Sequence, residues 1–156
     1  MLVVSHYQAS VPTTKKVFPH FKKHTNYKHK FIFCNSGTEA IEAGIKVIRN
    51  YDYKKKNFNK KNIITFEGAF HGRTFGALSA QQNNKYSKEF EPLLKGFVNI
   101  PFNNFDELKR NIDDETAAIM LEPILGEGGV KTCDLKYLEK VRKICDENKI
   151  LFFLDE

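Results

Sequence analysis

The chain has 156 residues, 41% hydrophobic and 13% aromatic, enough for one domain with a real core and ordinary for a globular protein. No apolar run approaches the roughly 20 residues that span a bilayer and Met1–Val4 is too short for a signal peptide, so a soluble, cytoplasmic protein without a membrane partner is expected. The net charge of +6 is local: residues 1–38 hold six lysines and no acid, Lys54–Lys61 hold five more, and setting those eleven aside leaves 14 basic residues against 19 acids.

Residues 1–30 resist assignment, because Pro12 and Pro19 interrupt any helical pattern and charge is scattered without period. The segment has no arginine, which argues against an organellar transit peptide. It is read as a poorly specified lead-in to a domain over 31–156. Phe31-Ile32-Phe33-Cys34 reads as a short buried strand, and Thr38 to Arg49 as a helix with Ile41, Ile45 and Ile48 on one face. The run from Lys54 to Lys61 reads as a solvated loop or helix end. It has no nucleic-acid motif or aromatic interleaving, so no nucleic-acid partner is expected.

Asn62–Phe66 is the next strand, rich in β-branched residues. Phe97–Ile100 follows as a strand, then a helix near Asp106–Ile112 and a strand over Thr116–Leu121. Asp134 to Glu147 is the clearest helix, with Asp134 as N-cap and Leu135, Leu138, Val141, Ile144 and Cys145 on one face. Ile150–Leu154 is the last strand. Strands alternating with helices, and strands that are apolar throughout, predict an α/β fold: a mainly parallel sheet with helices on both faces. A chain that stops at a buried strand reads as part of a larger protein. The three cysteines, Cys34, Cys133 and Cys145, form no CxxC pair and suit a reducing compartment. Outside a chance spacing in the N-terminal stretch, the five histidines lack Cys or His partners at metal-ligand spacing, so no metal site is expected.

In open α/β sheets ligands bind beyond the carboxyl ends of the strands. After the first strand, Ser36-Gly37-Thr38-Glu39 has capping-box spacing. Its exposed N–H groups at a helix start suit an anion such as phosphate, or simply cap a helix. After the second, Phe70-His71 between Gly68 and Gly72 offers a flat apolar ring and a hydrogen-bonding ring for a flat ligand. A core phenylalanine beside a satisfied histidine is the plainer alternative. Pro123 ends the Thr116–Leu121 strand and leaves Glu122 at its mouth, followed by a glycine-rich loop carrying Glu127. A carboxylate in that position needs partners unless the loop is merely a solvated turn. Asp155, at the end of the last strand, is placed to pair with a protonated ring nitrogen, or is where the chain turns polar.

The segments CNSGTEAIEAGIKVIR, FEGAFHGRTFGALS, AIMLEPILGEGGV and LFFLDE, in this order, resemble the large domain of class III aminotransferases, and most closely their acetylornithine branch. That resemblance covers about residues 31–156. It implies fold type I, pyridoxal phosphate (PLP) as cofactor and a homodimer in the complete protein. It implies transfer of an amino group from N-acetylornithine or a similar ω-amino donor to 2-oxoglutarate, in the manner of arginine biosynthesis.

Carried over by position, the resemblance implies that Ser36, Gly37 and Thr38 hold the phosphate. Phe70 stacks on the pyridine ring with His71 beside it, Asp155 bonds the ring nitrogen, and Glu122 supports it as a second acid. Glu127 matches the glutamate that pairs with an arginine and helps the site accept two substrates. The family's Schiff-base lysine lies downstream of the Asp155 position, so the 156 residues are expected to be a partial domain without transaminase activity of their own. Other PLP reactions (aminomutase, racemase, decarboxylase) and a non-catalytic basic binding module are the competing readings.

Overall fold

The computed structural model describes residues 2–4, 32, 34–82 and 84–156. Five strands form one parallel sheet: β1 (Leu2–Val4), β2 (Asn62–Phe66), β3 (Phe97–Ile100), β4 (Thr116–Leu121) and β7 (Leu151–Asp155), in the order β1-β7-β4-β2-β3. The helices are α1 (Gly37–Lys54), α2 (Phe75–Gln81), the single turn α3 (Asn84–Ser87), α4 (Phe105–Asn111) and α5 (Leu135–Asn148). A small antiparallel hairpin pairs β5 (Ile124–Leu125) with β6 (Lys131–Thr132).

Period-two alternation along each strand divides the core into two layers. Ile63, Met120 and Phe153 face Ile41, Ile45 and Ile48 of α1 and Ala77 and Ala80 of α2. On the opposite face Ile64, Phe66, Ile119, Leu121 and Phe152 meet Leu108 of α4 and Tyr137, Val141, Ile144 and Cys145 of α5. Helices therefore cover both faces, as predicted, and a buried side chain of this size contributes roughly 1.5–3 kcal/mol. Burial also pushes the Cys145 thiol up to about 12, with smaller effects from Arg142 and Asp146, which keeps it protonated and inert.

The differences from the sequence reading have local causes. Helix α1 runs five residues past Arg49 to Lys54, extended by Tyr51 and by Asp52, which is buried and accepts from the Asn57 side chain. Lys55–Lys61 then form exposed or half-buried turns. Of the strand read over residues 31–34, Ile32 is 57% exposed and neither it nor Cys34 is in a strand. Phe31 and Phe33 lie outside the described residues. Residues 1–30 are likewise outside them except for Leu2–Val4, which pair with Phe153–Asp155. On α5, Leu135 is 78% exposed because it opens the first turn, and Tyr137 takes the inward place. Asp134 caps that helix by accepting from the N–H groups of Lys136 and Tyr137.

Helix α1 approaches the sheet most closely at Gly44, where an added Cβ would lie 2.7 Å from Cζ of the buried Phe153 ring. Gly44→Val is therefore expected to destabilise by about 1–3 kcal/mol through overpacking, despite a better helix propensity. Urea unfolding measures this; an unchanged midpoint would mean that the helix and strand are not in contact.

Candidate functional site

The sheet register builds the site. Leu121 pairs with Leu154, so the next residues, Glu122 and Asp155, leave adjacent strands side by side. The turn after β2 brings His71 to the same place. His71 is 3% exposed, and its Nδ1 lies 2.7 Å from Asp155 Oδ2 and 3.8 Å from Glu122 Oε1. Because Nδ1 faces a carboxylate it carries the hydrogen of that bond, which leaves Nε2 on the far side of the ring. That Nε2 is buried without a partner among the described residues.

Glu122 is 7% exposed, and its Oε1 accepts from the Phe70 N–H. Burial raises its carboxyl above the ordinary range. The Phe70 N–H, the His71 ring and the Gly126 N–H pull it back, while the charge of Asp155 pushes it further up. A raised folded-state value means that the proton is held more tightly in the folded protein. The resulting stability is complete below the ordinary carboxyl value and is lost as pH rises through the folded one. Glu122→Gln keeps an acceptor for Phe70 and removes the titration. Its melting temperature relative to the parent is expected to rise as pH climbs from the ordinary carboxyl value through the raised, folded-state one. A difference that stays flat or falls would contradict the buried, raised carboxyl.

Around these three groups lies a cavity of about 570 Å³ lined by Gly37, Thr38, Phe70, Arg73 and Gly126, among others, within the usual range for small-molecule sites. Gly37 and Thr38 open α1, where the first-turn N–H groups have no intrahelical acceptor. Ser36 stands just behind as the N-cap, accepting from the Glu39 N–H, while the Glu39 carboxylate accepts from Asn35 N–H at 2.7 Å. The half-buried Phe70 ring lines the cavity, and the Arg73 guanidinium lies 5.6 Å from its centroid and 4.3 Å from that of Tyr86.

Six of the eight residues singled out in the sequence line this cavity, and Ser36 caps the helix behind it. Glu127 stands apart. It is exposed and lines a second cavity of about 230 Å³ with Gln81, Tyr86 and Gly128, reached from the other side of Phe70. Arg73 was not singled out, although it is the one Lys or Arg among the described lining residues of the main cavity. Its only local signal was a position next to Gly72. The metal-free expectation meets one geometric fact: His71, Glu122 and Asp155 each offer a ligand atom, all within 4.8 Å of one another. No described helix is long and apolar enough to cross a membrane.

Comparison with known proteins places this architecture. An acetylornithine aminotransferase of Caldanaerobacter subterraneus subsp. tengcongensis is 51% identical over 127 residues, covering 81% of this chain and 32% of that protein. The ornithine aminotransferase of Toxoplasma gondii, whose crystal structure has partial occupancy of PLP, superposes with TM-score 0.81 at 25% identity over 95% of this chain and 35% of that one. An (S)-enantioselective omega-transaminase of Thermomicrobium roseum shares the fold, with TM-score 0.82 at 24% identity over 94% of this chain and 37% of that one. The chain thus spans about a third of the length of the relatives it matches. The family model for class-III aminotransferases matches residues 1–156, and the chain belongs to that family.

Proposed function

We propose that this chain forms the cofactor-seating part of a PLP-dependent aminotransferase acting between N-acetylornithine, or a related ω-amino donor, and 2-oxoglutarate. The observation that carries the reading is the convergence of first-turn N–H groups, an aromatic ring and a strand-end carboxylate on one cavity. Each part of PLP meets matching chemistry there. Gly37 and Thr38 would hold the phosphate through backbone N–H groups at a helix start. Phe70 would cover the ring, and Asp155 would accept from the protonated ring nitrogen. When bound, PLP supplies an electron-withdrawing ring that stabilises negative charge on the substrate carbon losing its proton.

The chain's own residues prepare that chemistry. Asp155 keeps the proton on the ring nitrogen, and the His71 Nδ1–H holds the Asp155 carboxylate in place at 2.7 Å. Glu122, tied to the Phe70 N–H, fixes the turn that presents the aromatic ring. Arg73 brings a positive charge to the cavity and would suit the carboxylates that both an amino acid and a 2-oxo acid carry. None of the described lining residues is a lysine. The chain spans about a third of the relatives it matches, so the amine that covalent catalysis requires is assigned, in line with the family, to the rest of the complete protein, and residues 31–156 to part of its large domain. Two copies of the complete protein are assigned to a homodimer, in which the exposed apolar Ile124 at the cavity and Val130 on the hairpin would be covered.

The test is to supply the natural protein with PLP, N-acetylornithine and 2-oxoglutarate and to measure glutamate. Glutamate formed in proportion to the acetylornithine consumed supports the reading. PLP binding without amino transfer from any ω-amino donor would overturn the transaminase assignment and favour another PLP reaction on the same fold.

A further inference from the structure

Glu42 lies on α1 one turn beyond Thr38 and gathers the turn that follows His71. Its Oε1 accepts from the Thr74 hydroxyl at 2.6 Å and from the Gly76 N–H at 2.8 Å. Thr74 is the N-cap of α2 but makes no side-chain cap bond of its own, so the carboxylate from α1 supplies that cap across the fold. The Thr74 oxygen lies 3.1 Å from the Thr38 hydroxyl oxygen.

The direction of these bonds follows from donor counting. A carboxylate only accepts, and a hydroxyl has one proton. Thr74 spends its proton on Glu42, so between the two hydroxyls Thr38 must donate. The Thr38 hydrogen is thereby committed to Thr74, and an anion at this helix start is left with the Thr38 backbone N–H. The same turn is packed against Thr38 at Gly72, where an added Cβ would lie 2.5 Å from Thr38 Cβ, and the buried Gln81 side chain donates to the Gly72 carbonyl. Thr38 is thus held by a relay that ends on Glu42.

We infer that Glu42 is a positioning residue for the phosphate seat, fixing the Thr38 side chain and hydroxyl direction through Thr74. This rests on the reading of Gly37 and Thr38 as that seat. Because both bonds end on a single oxygen, an amide oxygen can take them over. Glu42→Gln keeps the relay and removes a negative charge near the anion, whereas Glu42→Ala removes the relay.

The experiment compares binding of PLP with binding of pyridoxal, which lacks the phosphate, to the natural protein and its variants after cofactor removal. The preference for PLP over pyridoxal is expected to fall about tenfold in Glu42→Ala, because an unpinned Thr38 leaves the first-turn N–H groups less well placed for a charged acceptor. In Glu42→Gln it is expected to equal or exceed that of the parent. A purely structural role would weaken both ligands alike and leave the preference unchanged. If Glu42→Ala does not fold, Glu42→Asp, one carbon too short for the relay, is expected to show the same fall. An unchanged preference in the Ala or Asp variant, or a Gln variant that behaves like Ala, overturns the inference while leaving the phosphate seat intact. A natural protein that does not distinguish PLP from pyridoxal removes the seat, and the inference with it.

Discussion

Asp155→Asn is expected to lower kcat for glutamate formation by roughly 10²–10³-fold, the scale at which one preorganised electrostatic group contributes to catalysis. Asparagine keeps an oxygen to accept from His71 Nδ1, now 2.7 Å from the carboxylate, so the site remains assembled. What it loses is the negative charge that holds a proton on a ring nitrogen. The loss should persist at saturating PLP, with the melting temperature near that of the parent. Removing the Asp155 charge also relieves one of the influences that raise the Glu122 carboxyl. Activity within about threefold of the parent, against the decades expected of such a group, would mean that Asp155 does not face the ring nitrogen.

Gly72→Ala is the second large effect, and it acts on the architecture. Gly72 has φ of +124°, a conformation reserved for glycine, and an added Cβ would fall against Thr38, 3.2 Å from its Cα. Backbone strain costs about 1–3 kcal/mol and overpacking about another 1–3 kcal/mol. The fold should therefore lose roughly 2–6 kcal/mol in total, a large fraction of a typical domain's stability. The same displacement moves Thr38, so PLP affinity should fall with stability. Denaturant unfolding and cofactor titration read the two effects separately. A variant as stable as the parent, with unchanged affinity, would show that the turn and the start of α1 are not packed together.

Much of this architecture is legible in the sequence wherever burial is continuous. Strands β2, β3 and β4 have the predicted bounds, because a parallel strand covered on both faces is an unbroken apolar run with sharp ends. Helix α5 was legible from its cap and its one-sided face. Helix α2 was not. Its sequence FGALSAQ is buried from Gly76 through Gln81, so it has no polar face and no helical period to detect. Strand β1 was missed because three apolar residues become a strand only by pairing with β7, which begins about 150 positions later in the chain. The Phe31–Cys34 run has strand composition, but Ile32 and Cys34 find no sheet partner.

The site divides along the same line. Glu122, Phe70, His71 and Asp155 follow strand ends, and the rule for open α/β sheets points to such positions. Arg73 and Glu42 act through contacts that no local pattern records. Arg73 depends on Tyr86 thirteen residues on, and Glu42 on Thr74 and Gly76 across a helix-to-turn packing. Glu127 was read on the glycine-rich loop after β4, and that loop, the turn of the β5–β6 hairpin, holds it at a second cavity.

The central claim is that one cavity at the carboxyl end of the sheet is a seat for PLP. The most direct test is a titration of the cofactor-free natural protein with PLP and, separately, with pyridoxal. The structure predicts saturable binding of PLP, with pyridoxal weaker by about tenfold or more, since charged hydrogen bonds at the start of α1 serve only the phosphate. Equal binding of the two ligands, or no binding of either, would contradict it.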